Sequence, residues 1–186
     1  MSFDLSRLRA CGSDVVISEL VEIRRPHLVT VGNHSAIDSF VSISTAAEIG
    51  DYVHIAPHVT IIGRGDAGGL IRMGHFTNLA AGCRVICGSD KYMGAGLIGS
   101  AAVPAHFRDE IKTAPVTLEN FANVGSNVVL MPGVTLAIGS VVGACSLVTH
   151  STEPWTIYVG VPARPVKKRR GEIILAHAEA LGYEKP

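Results

Sequence analysis

Aliphatic residues recur at every sixth position along most of the chain. The series starts at Val31, and it resumes at Met73 after a short interruption and at Leu118 after a long one. Its members, here termed anchors, are Val31, Ile37, Ile43, Ile49, Ile55, Ile61, Met73, Leu79, Val85, Leu118, Val124, Leu130, Leu136, Val142 and Val148. The fourth residue after an anchor is usually small or β-branched. A β-sandwich would instead need a period of two with turn signals roughly every 8–12 residues, so the pattern argues against one.

A period of six predicts a short strand and a turn, with the anchor pointing inward and the small residue fitting a tight corner. Three such strands close one triangular coil. Stacked coils satisfy each other's backbone hydrogen bonds and bury a continuous aliphatic column. The fifteen anchors therefore predict about five coils of an all-β parallel β-helix over 31–153, within a single domain, 1–186.

The two interruptions are predicted to leave the helix at the same corner. If the faces are numbered from Val31, then Ile61 and Val85 both lie on the third face, one coil apart. The first insertion reads GRGDAGGLIR, and the second forms a long loop, 88–115. Loops of that length are usually functional or mobile, so we expect the second one to cover a substrate.

The two ends of the chain lack the hexad pattern. In the N-terminal lead-in, 1–30, Ser2–Arg9 is predicted to form a short capping turn or helix and Asp14–Glu22 a strand-like approach. The C-terminal segment, 154–186, has a basic run followed by an amphipathic pattern that predicts a helix over roughly Arg170–Leu181. Its apolar face is expected to cap the open end of the core.

Composition and charge narrow the classes of partner. Lys plus Arg equals Asp plus Glu at 16 each, so no overall field attracts nucleic acid or an anionic membrane, and a small-molecule partner is expected. No secretion signal and no apolar stretch of about 18 residues is evident, which predicts a cytoplasmic protein without a membrane span. The four cysteines form no CxxC pair and are read as reduced thiols, with Cys83 and Cys87 filling small apolar positions of the repeat.

The hexads, the long loop, the segment PVTLENFANVGSNVVLMPGVTLAIGSVVGACSLVT and the motif VGVPARPVKK together resemble the hexapeptide-repeat acetyltransferases. The resemblance is strongest to the galactoside, maltose and nodulation-factor branch, over about 115–168 in detail. It implies a left-handed parallel β-helix that assembles as a homotrimer and needs no metal. It also implies that acetyl-CoA lies along a groove between coils and that a sugar hydroxyl or amine meets the thioester where subunits touch.

The resemblance also implies which residues contact acetyl-CoA: Ser126, Ala144, Thr149, Arg164 and Lys167. Small residues and free backbone amides suit a narrow pantetheine arm. The cationic side chains of Arg164 and Lys167 suit its phosphates.

The chain departs from that branch at the general base. The branch has a His at the end of the third-face hexad before the long loop, whereas this hexad reads VICGSD and ends in Asp90. An exposed carboxylate is a weak base unless burial raises its pKa, so Asp90 could instead orient the acceptor or bind its amine. His54 and His58 are the substitutes. His54 ranks first because GDYVHIAP resembles a string of sugar N-acetyltransferases whose His lies beside the thioester.

These residues predict acetyl transfer to a sugar hydroxyl or amine. The sugar could be nucleotide-linked and serve cell-surface polysaccharide or lipopolysaccharide synthesis. An amine acceptor would ease the loss of the family His, because a neutral amine attacks a thioester readily. Two alternatives remain: a γ-class carbonic anhydrase with zinc on His54, His58 and His75, and a non-catalytic hexapeptide scaffold.

Overall fold

The structure is a computed structural model that describes residues 3–63, 68–100 and 102–183. Ser2 of the predicted capping turn and residues 64–67 of the first insertion lie outside the described residues. The chain forms a left-handed parallel β-helix with three long sheets; the hexads predict the stacked coils, and the resemblance implies their handedness.

Each sheet takes one short strand from every coil. The first sheet contains Ala10–Cys11, Val29–Val31, Ala46–Ile49, Leu70–Met73, Val116–Leu118 and Thr135–Leu136. The second contains Val16–Ile17, Ala36–Ile37, His54–Ile55, Asn78–Leu79, Asn123–Val124, Val141–Val142, Thr156–Val159 and the antiparallel Arg164–Lys168. The third contains Glu22–Ile23, Ser42–Ile43, Thr60–Ile62, Arg84–Ile86, Val129–Leu130 and Leu147–Val148. The bend that follows a strand of the first, second or third sheet is called the first, second or third corner. In the third coil, the first corner is 50–53, the second corner is 56–59 and the third corner begins at residue 63.

The remaining elements are short. A hairpin of Gly88–Asp90 and Ile111–Thr113 leaves the prism at the third corner. Three-residue 3-10 helices span Leu5–Arg7, Pro26–Leu28 and Ala105–Phe107, and an α-helix spans Glu172–Ala180. The α-helix lies within the range predicted from its amphipathic pattern.

The anchors build the core as predicted. All fifteen are at most 4% exposed, and anchors of the same face are Cα partners in successive coils. Val85 pairs with Ile61, so the two insertions leave from one corner, also as predicted. Burying each Ile or Leu removes enough apolar surface from water to contribute about 1.5–3 kcal/mol. The regular column of anchors therefore both closes and stabilises the prism.

The coils begin earlier than the predicted boundary at residue 31. Cys11, Ile17 and Ile23 pair in register with the anchors of the next coil, so residues 10–23 form a complete coil inside the predicted lead-in. The sequence pattern missed it because the 3-10 helix Pro26–Leu28 adds two residues before Val31. The described residues thus form six coils and the start of a seventh, rather than five.

Corner side chains hold the first corner together. The backbone N–H of Asn33 donates to Asp51 Oδ1 at 2.7 Å, that of Asp51 to His75 Nδ1 at 3.0 Å, and that of His75 to Asn120 Oδ1 at 2.8 Å. Glycine precedes Asn33, Asp51 and His75, where the next coil approaches closely: a Cβ on Gly74 would lie 2.4 Å from Asn120 Oδ1. Beside this row, five rings stack along the prism: His34, Tyr52, Phe76, Phe121 and Trp155.

The expectation that the C-terminal helix caps the end of the core is wrong. The helix lies along the side of the prism, where Ile174, His177 and Leu181 face Phe76 and Phe121 across a cavity of about 300 Å³. Beyond the helix, the Tyr183 ring meets Phe76 edge-on at 4.9 Å, and its hydroxyl donates to Asp51 Oδ2 at 2.7 Å. The stacked rings offer the helix an apolar wall along the side of the prism, which accounts for its position.

The tether between Tyr183 and Asp51 depends on pH. Burial raises the pKa of Asp51, but the hydrogen bonds from Tyr183 and Asn33 outweigh it and hold the pKa below its usual value. Burial, followed by the bond to Asp51, raises the pKa of Tyr183 to about 12. The Asp51 contribution is therefore present above its unfolded pKa of about 3.9 and is lost as pH falls through the lowered value. The Tyr183 contribution is complete below about pH 10 and is lost as pH rises toward 12.

We expect Tyr183→Phe to loosen the C-terminal helix. The change removes a hydrogen bond to a carboxylate and keeps the ring, so unfolding should cost about 1 kcal/mol less and Tm should fall by about 2–4 °C. Hydrogen exchange of Glu172–Ala180 should speed up near neutral pH. Tyr92→Phe, in the exposed loop, is the matched control. Equal exchange and equal Tm in the two variants would contradict the tether.

Candidate active site

Small side chains form a shelf along the second corner. The residues after the second-sheet anchors are small in the third to sixth coils: Ala56, Ala80, Gly125 and Gly143. Ser126 and Ala144 stack at the corner itself, since the Cys145 N–H donates to Ser126 O at 2.9 Å. A Cβ on Gly125 would lie 2.7 Å from the Ala144 nitrogen, so the coils approach closely only because that position is glycine. The shelf is an extended narrow strip.

Arg164 continues the shelf at its C-terminal end. The turn before it is held over the sixth coil, because Leu147 N–H donates to Gly160 O and Ala163 N–H donates to Leu147 O. Lys167 follows in the same strand, opposite Ile157 on the second sheet, and both cationic side chains are exposed. The structure thus gathers four of the five predicted cofactor residues near one corner. Thr149 follows the last third-sheet strand instead, toward the third corner, where its hydroxyl lies 2.9 Å from His150 Nδ1.

His54 lies on the outer face of the second sheet in the third coil. Its Nε2 is 2.9 Å from Asp38 Oδ2, and the two side chains are 55% and 41% exposed. If the carboxylate accepts the Nε2 proton, Nδ1 is left with a free lone pair. His58 lies at the second corner of the same coil, where its ring stacks on Phe40 with centroids 5.0 Å apart. Both histidines therefore border the shelf at its N-terminal end.

The sequence reasoning missed Asp38. A signal for it exists: in the third to sixth coils the same position, directly after the second-sheet anchor, holds Ala or Gly. An acidic residue in a column of small ones is unusual enough to mark a functional position, once the hexads are aligned coil by coil.

The shelf has the length of a pantetheine arm. Neighbouring strands lie about 4.8 Å apart, so the three steps from the sixth coil to the third span roughly 14 Å. Ala144 stands at one end of this span and His58 at the other.

Asp90 lies apart from the histidines of its own chain. It ends the first strand of the hairpin that leaves the third corner, and it lines a cavity of about 230 Å³ inside the loop together with Arg108 and Asp109. The structure therefore does not bring Asp90 and His54 together within one subunit. Asp109 was also missed by the sequence reasoning, and no pattern in the loop marks it.

The three histidines proposed as zinc ligands lie at different places on the prism. His54 lies on the second sheet, His58 at the second corner, and His75 at the first corner, where its Nδ1 accepts the Asp51 N–H. Over residues 3–63, 68–100 and 102–183, no group of three or more His, Cys, Asp or Glu side chains is arranged to hold a metal ion. Within the same ranges, no helix is long and apolar enough to cross a membrane.

Comparison with known proteins finds two relatives that are similar over most of their length. The chain is 28% identical over 170 residues to the dTDP-4-amino-4,6-dideoxy-D-glucose acyltransferase of Escherichia coli, covering 89% of this chain and 85% of that protein. It superposes with a TM-score of 0.87 and 32% identity on AntD, an N-acyltransferase from Bacillus cereus solved with dTDP and 3-hydroxybutyryl-CoA, covering 95% and 92% of the two chains. The match to galactoside O-acetyltransferase of Escherichia coli K12 is 41% over 59 residues, 32% and 29% of the chains. No protein-family model matches.

Proposed function

The chain belongs to the hexapeptide-repeat sugar acyltransferases, and we propose that it transfers an acyl group from acyl-CoA to the amino group of a dTDP-linked amino sugar. The observation that carries the proposal is the similarity to AntD, which extends over 92% of that protein. The Escherichia coli relative, which is similar over nearly its whole length, supports the same acceptor class. The galactoside enzyme, a hydroxyl-acylating relative, matches less than a third of this chain.

The shelf along the second corner fits the co-substrate. Ser126 and Ala144 leave room for a pantetheine arm, and Arg164 and Lys167 supply positive charge for phosphates at its far end. The thioester end would then lie beside His54 and His58 in the third coil. Thr149 lies on the far side of the third sheet, away from the shelf, so it stays a predicted contact. It would reach the co-substrate only if two subunits form the groove together.

His54 serves as the general base in this proposal. Asp38 orients the imidazole, and Nδ1 accepts a proton as the amine nitrogen bonds to the thioester carbon. The carbon–sulfur bond breaks, the thiolate takes up the proton, and an amide and free CoA result. His58 borders the same end of the shelf and is the second candidate.

We propose a homotrimer as the active form. His54 and Asp38 are about half exposed on the outer face of the prism, and the loop 88–115 projects from another corner. A neighbouring subunit's loop would cover them and exclude water from the thioester. The four cysteines are unpaired thiols, which supports a cytoplasmic enzyme. Its product would serve cell-surface polysaccharide synthesis, for example of lipopolysaccharide.

The proposal is tested by incubating the purified protein with acetyl-CoA or 3-hydroxybutyryl-CoA and dTDP-4-amino-4,6-dideoxyglucose. We expect release of free thiol and a new amide detected by mass spectrometry. Parallel reactions with galactosides measure transfer to a hydroxyl. Transfer to hydroxyls alone, or no binding of CoA by calorimetry, would contradict the proposal, and the latter would favour a scaffold.

A further inference from the structure

Two large apolar side chains are exposed where the shelf ends. Phe40 lies at the second corner of the second coil and Leu20 at the same corner of the first coil, with exposed fractions of 56% and 52%. The Phe40 N–H donates to Leu20 O at 3.1 Å, and the Phe40 ring stacks on His58 at the N-terminal end of the shelf. Leu20 and Phe40, here termed the apolar ledge, therefore extend the second corner by two coils beyond the shelf.

The later coils carry small or polar side chains at the position of the ledge. The corresponding residues of the fourth, fifth and sixth coils are Gly82, Asn127 and Cys145. Phe40 also has a φ of 64°, a left-handed conformation that is costly for a bulky residue. Phe121 has the same φ at the first corner, but it faces the C-terminal helix and is only 4% exposed. A neighbouring pair of exposed apolar side chains at one end of a groove points to an apolar ligand.

The polar groups of the first two coils are paired with each other or lie on the opposite side of the corner. Asp38 is hydrogen-bonded to His54 on the side of the second sheet. At the corner itself, the hydroxyl oxygens of Ser18 and Ser39 lie 2.7 Å apart and form a hydrogen bond. A ligand that follows the corner past the third coil thus meets apolar side chains on the side of the third sheet.

The acyl chain of the donor is the ligand whose path leads there. In the proposed function the pantetheine arm lies on the shelf and the thioester lies beside His54 and His58, so the carbons beyond the acyl carbonyl point toward the second coil. Each coil advances about 4.8 Å along the prism, which is the length of roughly four carbons of an extended chain. A chain of about four carbons therefore reaches Phe40, and one of about eight reaches Leu20.

We propose that the apolar ledge is the acyl-chain subsite and that the preferred donor is a medium-chain acyl-CoA of roughly six to eight carbons. The inference rests on the proposed function and names its donor. Burial of one methylene group changes an affinity about fourfold, so selectivity for a longer chain accumulates with each carbon that lies on the ledge. The ledge acts in binding alone, because the bonds made and broken in the transfer are the same for every chain length.

The test measures kcat/KM for acetyl-CoA, butyryl-CoA and octanoyl-CoA at saturating dTDP-4-amino-4,6-dideoxyglucose. For the wild type, kcat/KM should rise about tenfold or more from acetyl to butyryl and again from butyryl to octanoyl. Leu20→Ser should lower the octanoyl-to-butyryl ratio about tenfold and keep the butyryl-to-acetyl ratio, because only the longer chain reaches the first coil. Phe40→Ser should lower the butyryl-to-acetyl ratio.

The control is Ile173→Ser, which changes an exposed aliphatic side chain of the C-terminal helix and should leave both ratios unaltered. Light scattering measures the oligomeric state of each variant. If Leu20→Ser and Phe40→Ser dissociate the protein and weaken all three donors equally, the ledge is a subunit contact and the inference is overturned. A wild type that uses acetyl-CoA as well as octanoyl-CoA also overturns the inference and leaves the proposed function intact. Absence of transfer from all three donors overturns both.

Discussion

Replacing His54 with alanine is expected to lower kcat for acyl transfer roughly a hundredfold or more, with little effect on the affinity for CoA. The imidazole is the basic group nearest the N-terminal end of the shelf that has a carboxylate to orient it, and its loss removes that oriented base. Steady-state kinetics with saturating acyl-CoA and amino sugar measure the effect. Asp38→Asn should lower kcat less, because it disturbs the orientation of the base and leaves the base in place.

The prism offers a matched control for this pair. His34 Nδ1 lies 3.3 Å from Asp14 Oδ2, so it is also a partly exposed histidine beside a carboxylate, but at the first corner. His34→Ala should keep kcat within about twofold of the wild type, as expected for a surface change away from the chemistry. If His54→Ala and His34→Ala have equal kcat, His54 is not the base, and the same assay on His58→Ala tests the second candidate.

Ala144→Trp is expected to abolish measurable CoA binding, raising Kd by about a hundredfold or more. Ala144 is exposed at the corner where the sixth coil stacks on the fifth, so the indole would project over the shelf and occupy the space of the pantetheine arm. Losing the contacts of a pantetheine arm removes several kcal/mol of binding free energy, and each 1.4 kcal/mol or so changes Kd about tenfold. Calorimetry with CoA measures the change directly.

The control for bulk is Ala176→Trp, at an exposed position of the C-terminal helix. It adds the same side chain outside the shelf and should leave Kd for CoA unchanged. Because the second corner is expected to face a neighbouring subunit, the oligomeric state of both variants is checked by light scattering. A trimeric Ala144→Trp protein that binds CoA normally would rule out the second corner as the cofactor path.

Asp38, Asp109 and the C-terminal helix show where sequence reasoning stopped. Asp38 and His54 are 16 residues apart and meet only because neighbouring coils are in register. The Oδ2 atom of Asp109 is buried without a hydrogen-bond donor among the described residues, in a loop whose sequence contains no repeat. Tyr183 donates a hydrogen bond to Asp51, which is 132 residues away in the sequence, and the helix lies on the stacked rings and not on the end of the prism.

The sequence by itself determined the prism, its three faces, the corner from which both insertions leave and the presence of the C-terminal helix. It could do so because the inward or outward direction of each side chain is fixed by a turn that recurs every six residues, which is local information. Only the tertiary structure decided the first coil, the His54–Asp38 pair, the cavity at Asp109 and the docking of the helix. These depend on coil length, on irregular turns such as Pro26–Leu28 and on contacts between distant segments, and no periodic pattern encodes them.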